Sequence, residues 1–155
     1  MHRNSISVLQ ENKNFLISSL GWLERSYNQC RNIGIKSEYT DDEYDSYENL
    51  TSRFARTTDL LVNKVMRSID AAELIEPGSL IDTVNRAASR GIVDSTEQIR
   101  NLKDLRNEIA HEYEPETLAE LFTAVLDSVP GLIKLSERTV EYCERLIANQ
   151  SSEQK

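Results

Sequence analysis

Apolar residues recur along the chain mainly at steps of three and four, the spacing of one helix face. In the first stretch these are Leu9, Leu16, Leu20, Leu23, Tyr27 and Cys30, which predict a helix over Ser5–Ile33. Ser5 is its expected N-cap and Gly34 its C′ residue, while Phe15 and Trp22 lie off the stripe and widen it. Residues 34–43 read as a polar, acidic connection. Asp45-Ser46-Tyr47 is expected to open a second helix, reaching about Ser68, on Tyr47, Leu50, Phe54, Leu61 and Val65. Thr57 fills the gap in that stripe, and Arg53, Arg56 and Asp59 surround it as polar groups.

Leu74-Ile75-Glu76-Pro77-Gly78 interrupts the pattern. A short helix over Ser79–Ser89 follows and ends at Arg90-Gly91. Asp94 or Ser95 then caps a helix carrying Ile99, Leu102, Leu105 and Ile109, with Glu97 and Gln98 placed for a capping box. Pro115 closes that helix and opens a last one, to about Ala148, which Pro130-Gly131 should kink or split. Residues 149–155 read as a polar tail. No stretch alternates with a period of two, and no internal repeat is visible. The expectation is an all-α protein: an antiparallel four- to five-helix bundle forming one domain over residues 1–148.

Composition agrees with this plan. The chain has 155 residues, enough to bury a core, with only five glycines and three prolines, which favours long helices over a turn-rich β fold. No apolar run approaches a membrane span, and the N-terminus lacks the apolar core of a secretion signal, so a cytoplasmic protein without membrane contact is expected. Cys30 and Cys143 are far apart and have no CxxC neighbour, which points to small buried thiols rather than a zinc site or a disulfide. No metal or cofactor motif is present.

Charge sharpens the picture. The net charge is −8, and Glu38, Asp41, Asp42, Glu43, Asp45 and Glu48 fall in one short segment, whose charge suits a basic protein surface. Such a chain is no generic nucleic-acid binder, because phosphate contacts need clustered Lys and Arg. A local basic cleft is still open to it, with Arg86, Arg90, Arg100, Lys103 and Arg106 as candidates.

The chemistry concentrates in Arg106-Asn107-Glu108-Ile109-Ala110-His111-Glu112-Tyr113, which holds one of the two histidines. Arg106 stands with Ile99, Leu102, Ile109 and Tyr113 at steps of three and four, on a stripe where a hydrophobe is expected. An arginine there must be paired, must snorkel, or must line a cleft or subunit seam. His111 lies about 140° round an ideal helix from Arg106. Arginine presents a fixed planar cation to phosphate oxygens, and histidine moves protons near neutral pH. Together they suit metal-independent RNA cleavage, and a two-fold dimer would supply two of each. Spacing alone nevertheless favours structural roles: a histidine favoured by the helix macrodipole, and Arg106 paired with Glu108 or with a carboxylate on another helix.

The run Arg106-Asn107-x-x-x-His111-x-Tyr113 resembles the R-x4-H-x-Y signature of the HepT toxins, within the wider HEPN superfamily. The length, helical plan and late position of the motif are also similar, over roughly residues 5–148. The resemblance implies a HEPN-like homodimer with two motif helices facing one cleft, and metal-independent endoribonuclease activity. It implies that Arg106 and His111 are catalytic, with Asn107 supporting their geometry. It further implies that an MntA-like nucleotidyltransferase antitoxin transfers AMP from ATP to Tyr113, filling an RNA-binding cleft with charge and bulk. The competing expectation is a non-catalytic helical partner or substrate-binding subunit of a minimal nucleotidyltransferase.

Overall fold

The computed structural model describes residues 4–76, 78–111 and 115–153, the side chains of 115, 116 and 151–153 excepted. Among the described residues every regular element is helical. Helix α1 is Ser5–Ile33, as expected, but its N-cap is Asn4, whose side chain accepts from the Ile6 N–H at 2.9 Å. Gly34 closes it at φ 78°, a left-handed conformation that glycine adopts without a Cβ penalty, and its N–H returns to the Cys30 carbonyl.

Helix α2 (Asp41–Asp59) begins four residues before its expected start. Thr40 is the N-cap of a capping box with Glu43, and Asp41, Asp42 and Glu43 occupy the first turn. Much of the acidic segment is therefore helix start, where carboxylates meet the positive end of the macrodipole. Hydrogen bonds from Lys36 and from the Thr40 backbone hold the Glu43 carboxyl below its ordinary pKa. Thr40→Ala is expected to lower stability by about 1 kcal/mol, read as a shift in the denaturant midpoint. An unchanged midpoint would show that the cap contributes nothing.

Helix α2 does not stop at Ser68. It passes through a π-helical stretch (Leu60–Met66) into α3 (Arg67–Ala72). The reason is visible in the buried residues, which pair as Thr57/Thr58, Leu61/Val62 and Val65/Met66, followed by Ile69. That repeat is four residues, and an α-helix would rotate it out of register by about 40° per step. A wider turn keeps these residues facing the core. Leu74, at φ 62°, then turns the chain away.

Helix α4 (Leu80–Ser89) carries a second capping box, Ser79 with Asp82, and α5 (Thr96–Ile109) is capped by Ser95 alone. Helix α6 (Pro115–Glu153) continues past the expected tail boundary and is not split at Pro130. Pro130 is exposed, so its missing N–H falls on the solvent side, while Val125, Val129, Leu132 and Leu135 pack the inner face and carry the helix across.

These elements form five helical rods among the described residues. Helices α1 and α2–α3 are antiparallel, shown by contacts that climb one as they descend the other. Asn12 bonds Ser68 at 2.7 Å, Ser19 bonds Thr57 at 2.7 Å and Cys30 donates to the Ser46 carbonyl at 3.4 Å. Helix α6 packs on α1 and α2, and α5 lies against α2, α4 and α6. At one end Tyr47 and Phe122 stack with ring centroids 4.6 Å apart, and the buried Tyr47 hydroxyl donates to the Gly34 carbonyl at 2.7 Å. Burial pushes the Tyr47 hydroxyl pKa well above its usual value, so it remains a neutral donor. Both cysteines are free and buried, their thiols pushed up to about 11 (Cys30) and about 12 (Cys143) mainly by desolvation. No helix among the described residues is long and apolar enough to cross a membrane.

Candidate functional site

Helix α5 buries Ile99, Leu102 and Leu105. Leu105, not Arg106, takes the core position, and this corrects the stripe read from sequence. Arg106 sits at the flank, half-buried, where its stem can pack and its guanidinium can reach the edge of the neighbouring α2. There it meets Asp59. Arg106 Nε donates to Asp59 Oδ1 at 2.8 Å and Nη2 to Oδ2 at 2.9 Å, a two-pronged ion pair. The hydrogen bonds that Asp59 accepts, then its charge, push the guanidinium pKa further up, so Arg106 stays cationic.

Of the alternatives open in the sequence, the partner is a carboxylate on another helix, not Glu108. In the sequence Asp59 stands only among the polar groups around the α2 stripe. Its role has no local signature, because it depends on α2 and α5 lying side by side. Helix α2 packs beside α5 and brings this acid to Arg106.

Helix α5 ends at Ile109, two residues before the histidine. Ala110 remains helical in backbone angle, and the His111 N–H closes a tighter turn onto the Glu108 carbonyl at 3.1 Å. The ideal wheel therefore no longer relates His111 to Arg106. His111 and Asn107 are exposed. Tyr113 lies outside the described residues. Arg106 stands in the last turn of α5, where a cation complements the macrodipole.

Of the candidates for a local basic cleft, Arg86, Arg90, Arg100, Lys103 and Arg106, several are engaged by neighbouring groups. Three of the five are bound by acids: Arg106 by Asp59, Arg86 by Asp70, and Arg90 by Glu73 with Asp70 close by. Arg100 bonds Thr96 at 3.1 Å, and with Lys103 and Asp104 it borders a mostly apolar groove between α4 and α5.

The acids that capture Arg86 and Arg90 form a network invisible in the sequence. Asp70 is 4% exposed and receives both prongs of Arg86, at 3.0 and 2.9 Å, together with the Thr83 hydroxyl at 3.1 Å. Glu73 accepts from Arg90 Nε at 3.1 Å and from the Tyr142 hydroxyl at 2.5 Å, linking α6 to the same cluster. Desolvation and the bond to Glu73 both raise the Tyr142 pKa. Among the described residues, no group of three or more His, Cys, Asp or Glu converges as a metal site.

No protein-family model matches the chain, and no curated protein or solved structure matches it.

Proposed function

We propose that the chain is a HepT-like toxin: a cytoplasmic, HEPN-like homodimer that cleaves RNA without a metal ion and is silenced by modification of Tyr113. The observation that supports this best is the Arg106–Asp59 pair. Asp59 occupies Nε and Nη2 of the guanidinium, which leaves the Nη1 N–H groups for phosphate oxygens. A cation on a fixed mount, five residues before an exposed histidine, suits phosphate-ester chemistry.

In this reading His111 takes the proton from a ribose 2′-hydroxyl, whose oxygen attacks the neighbouring phosphorus. The bond to the 5′-oxygen breaks, that oxygen is protonated, and a 2′,3′-cyclic phosphate remains. Arg106 stabilises the charge that builds on the phosphoryl oxygens, and Asn107 supports the geometry. The His111 of a second copy supplies the acid. Silencing proceeds when the Tyr113 oxygen attacks the α-phosphorus of ATP on an MntA-like nucleotidyltransferase, releasing pyrophosphate and the hydroxyl proton. The adenylyl group then adds negative charge and bulk two residues beyond His111 in the chain.

One observation favours the second reading, a non-catalytic partner subunit of a nucleotidyltransferase. Asp59 neutralises the very cation that cleavage requires. An assay with unmodified chain and labelled RNA in excess chelator separates the two. Cleavage is expected from wild type and is expected to vanish in His111→Ala. Equal cleavage by both would remove His111 from the chemistry, and an inert wild type would leave the partner-subunit reading.

A further inference from the structure

The face of the α1–α2 pair beside Asp59 carries an unusual surface. Phe15 and Trp22, one heptad apart on α1, are 51% and 54% exposed. Across from them stand Arg53 and Arg56 of α2 and Leu60, the first residue of the π-helical stretch, at steps of three and four. The two helices enclose a groove of about 300 Å³ between these side chains. Arg53 is fixed in it by neutral acceptors. Its Nη1 donates to the Ser26 hydroxyl at 2.6 Å and to the Trp22 carbonyl at 3.2 Å, and its guanidinium lies 5.1 Å from the Trp22 ring centroid. Arg56 is exposed. Among the described residues no carboxylate pairs with either arginine, in contrast to Arg86, Arg90 and Arg106.

We propose that this groove is a binding site for single-stranded RNA, with bases stacking on Phe15 and the Trp22–Arg53 pair, and phosphates held by Arg53 and Arg56. The proposal rests on the reading of the chain as an RNA-cleaving protein and adds the place where the strand is held. Flat aromatic faces beside uncancelled arginines match what single strands offer, π faces alternating with phosphate charge. In a chain of net charge −8, these two arginines border two exposed aromatic rings. The groove also leads to the candidate site. Arg56 lies one helical turn before Asp59, the residue that holds Arg106. The π-helical stretch begins at Leu60, at the groove's edge, and such turns recur at functional sites. A second copy of the chain fits less well as occupant. A two-fold seam centred here would face Arg53 and Arg56 with their own copies and oppose like charges.

Trp22 is the only tryptophan in the chain, so its emission reports on this groove alone. The probe is a short 2′-O-methyl oligoribonucleotide, which cannot supply the attacking hydroxyl and therefore reads binding without cleavage. Saturable quenching of Trp22 is expected, weakening as salt is raised. Arg56→Ala, at an exposed position that does not threaten the fold, and Phe15→Ala should each weaken binding by about tenfold. Binding seen by anisotropy with unchanged Trp22 emission would overturn the site, as would wild-type affinity in both variants. A blue shift that grows with protein concentration in the absence of RNA, without quenching in its presence, would make the groove a seam between copies. The two proposals fail separately. Cleavage that depends on His111 without Trp22 quenching removes this site and keeps the function. Quenching with His111-independent cleavage, or with none, does the reverse.

Discussion

Asp59→Ala is expected to slow RNA cleavage by about tenfold to a hundredfold while the chain stays folded and binds RNA at least as well as before. The expectation follows from the geometry of the pair. Asp59 holds two adjacent nitrogens of Arg106, at 2.8 and 2.9 Å, and so determines which edge of the guanidinium faces outward. Without that mount the side chain regains its rotamers and spends little time where a transition-state phosphate needs it. Removing a carboxylate beside the site also removes a repulsion toward RNA, so KM is expected to hold or fall while kcat drops. Stability should change by only about 0–1 kcal/mol, because the side chains are 29% and 34% exposed and solvent screens the pair. Asp59→Asn, which keeps an acceptor oxygen in place, should recover part of kcat. Unchanged kcat in Asp59→Ala would mean that Arg106 needs no mount. A loss shown equally in thermal stability and kcat would make the pair structural.

The second large effect is expected at Asp70, far from the proposed chemistry. Desolvation alone would raise the pKa of this carboxyl, but Arg86, Arg90 and Thr83 together outweigh it and hold the group below its ordinary value. A pKa depressed in the folded state gives stability that is present above the unfolded value, here 3.8, and is lost as pH falls through the lower folded value. Asp70→Asn removes that charge, which leaves Arg86 without its carboxylate and Arg90 with Glu73 alone, the latter arginine with only 8% of its side chain exposed. Breaking one side of a buried ion pair costs about 3–5 kcal/mol, which for a chain of this length lowers Tm by roughly 6–20 °C at neutral pH. The gap between wild type and variant should then narrow as the buffer is taken below pH 4. A variant that melts within two or three degrees of wild type at pH 7 would show that the network contributes no net stability. A gap that persists at low pH would show that its contribution is not the carboxylate charge.

Asp59 and Asp70 also mark where sequence reading reached its limit. The spans of helix α1 and the short α4 were legible because three-four spacing is a local signal, complete within about ten residues, whereas the N-cap of α1 fell one residue earlier than Ser5. The early start of α2 was not legible, because Asp41, Asp42 and Glu43 look like loop in isolation and become a helix start only with Thr40 and Glu43 closing a capping box. Pro130-Gly131 reads as a kink or a split, yet α6 runs through it unsplit, with Val125, Val129 and Leu132 packed on its inner face. Of the five basic residues that were candidates for a cleft, Arg86, Arg90 and Arg106 are paired with acids on other elements. Charge pairing across helices leaves no periodic trace, so nothing near Arg86 announces Asp70, and nothing near Arg106 announces Asp59.

What the sequence determined by itself was the helical class, the inner faces of the helices and the short run Arg106–Tyr113 as the place to look for chemistry. Each follows from interactions between residues close in the chain, where periodicity and residue type are sufficient. What only the tertiary structure decided was the setting of that run and of the surface near it: Arg106 displaced from the core stripe by Leu105 and clamped by Asp59, His111 set beyond the helix end, and Phe15 and Trp22 left open beside Arg53 and Arg56, which no carboxylate among the described residues pairs. Those outcomes depend on which helices lie side by side and at what register. That is set by burial of the whole core at once, and no single stretch encodes it.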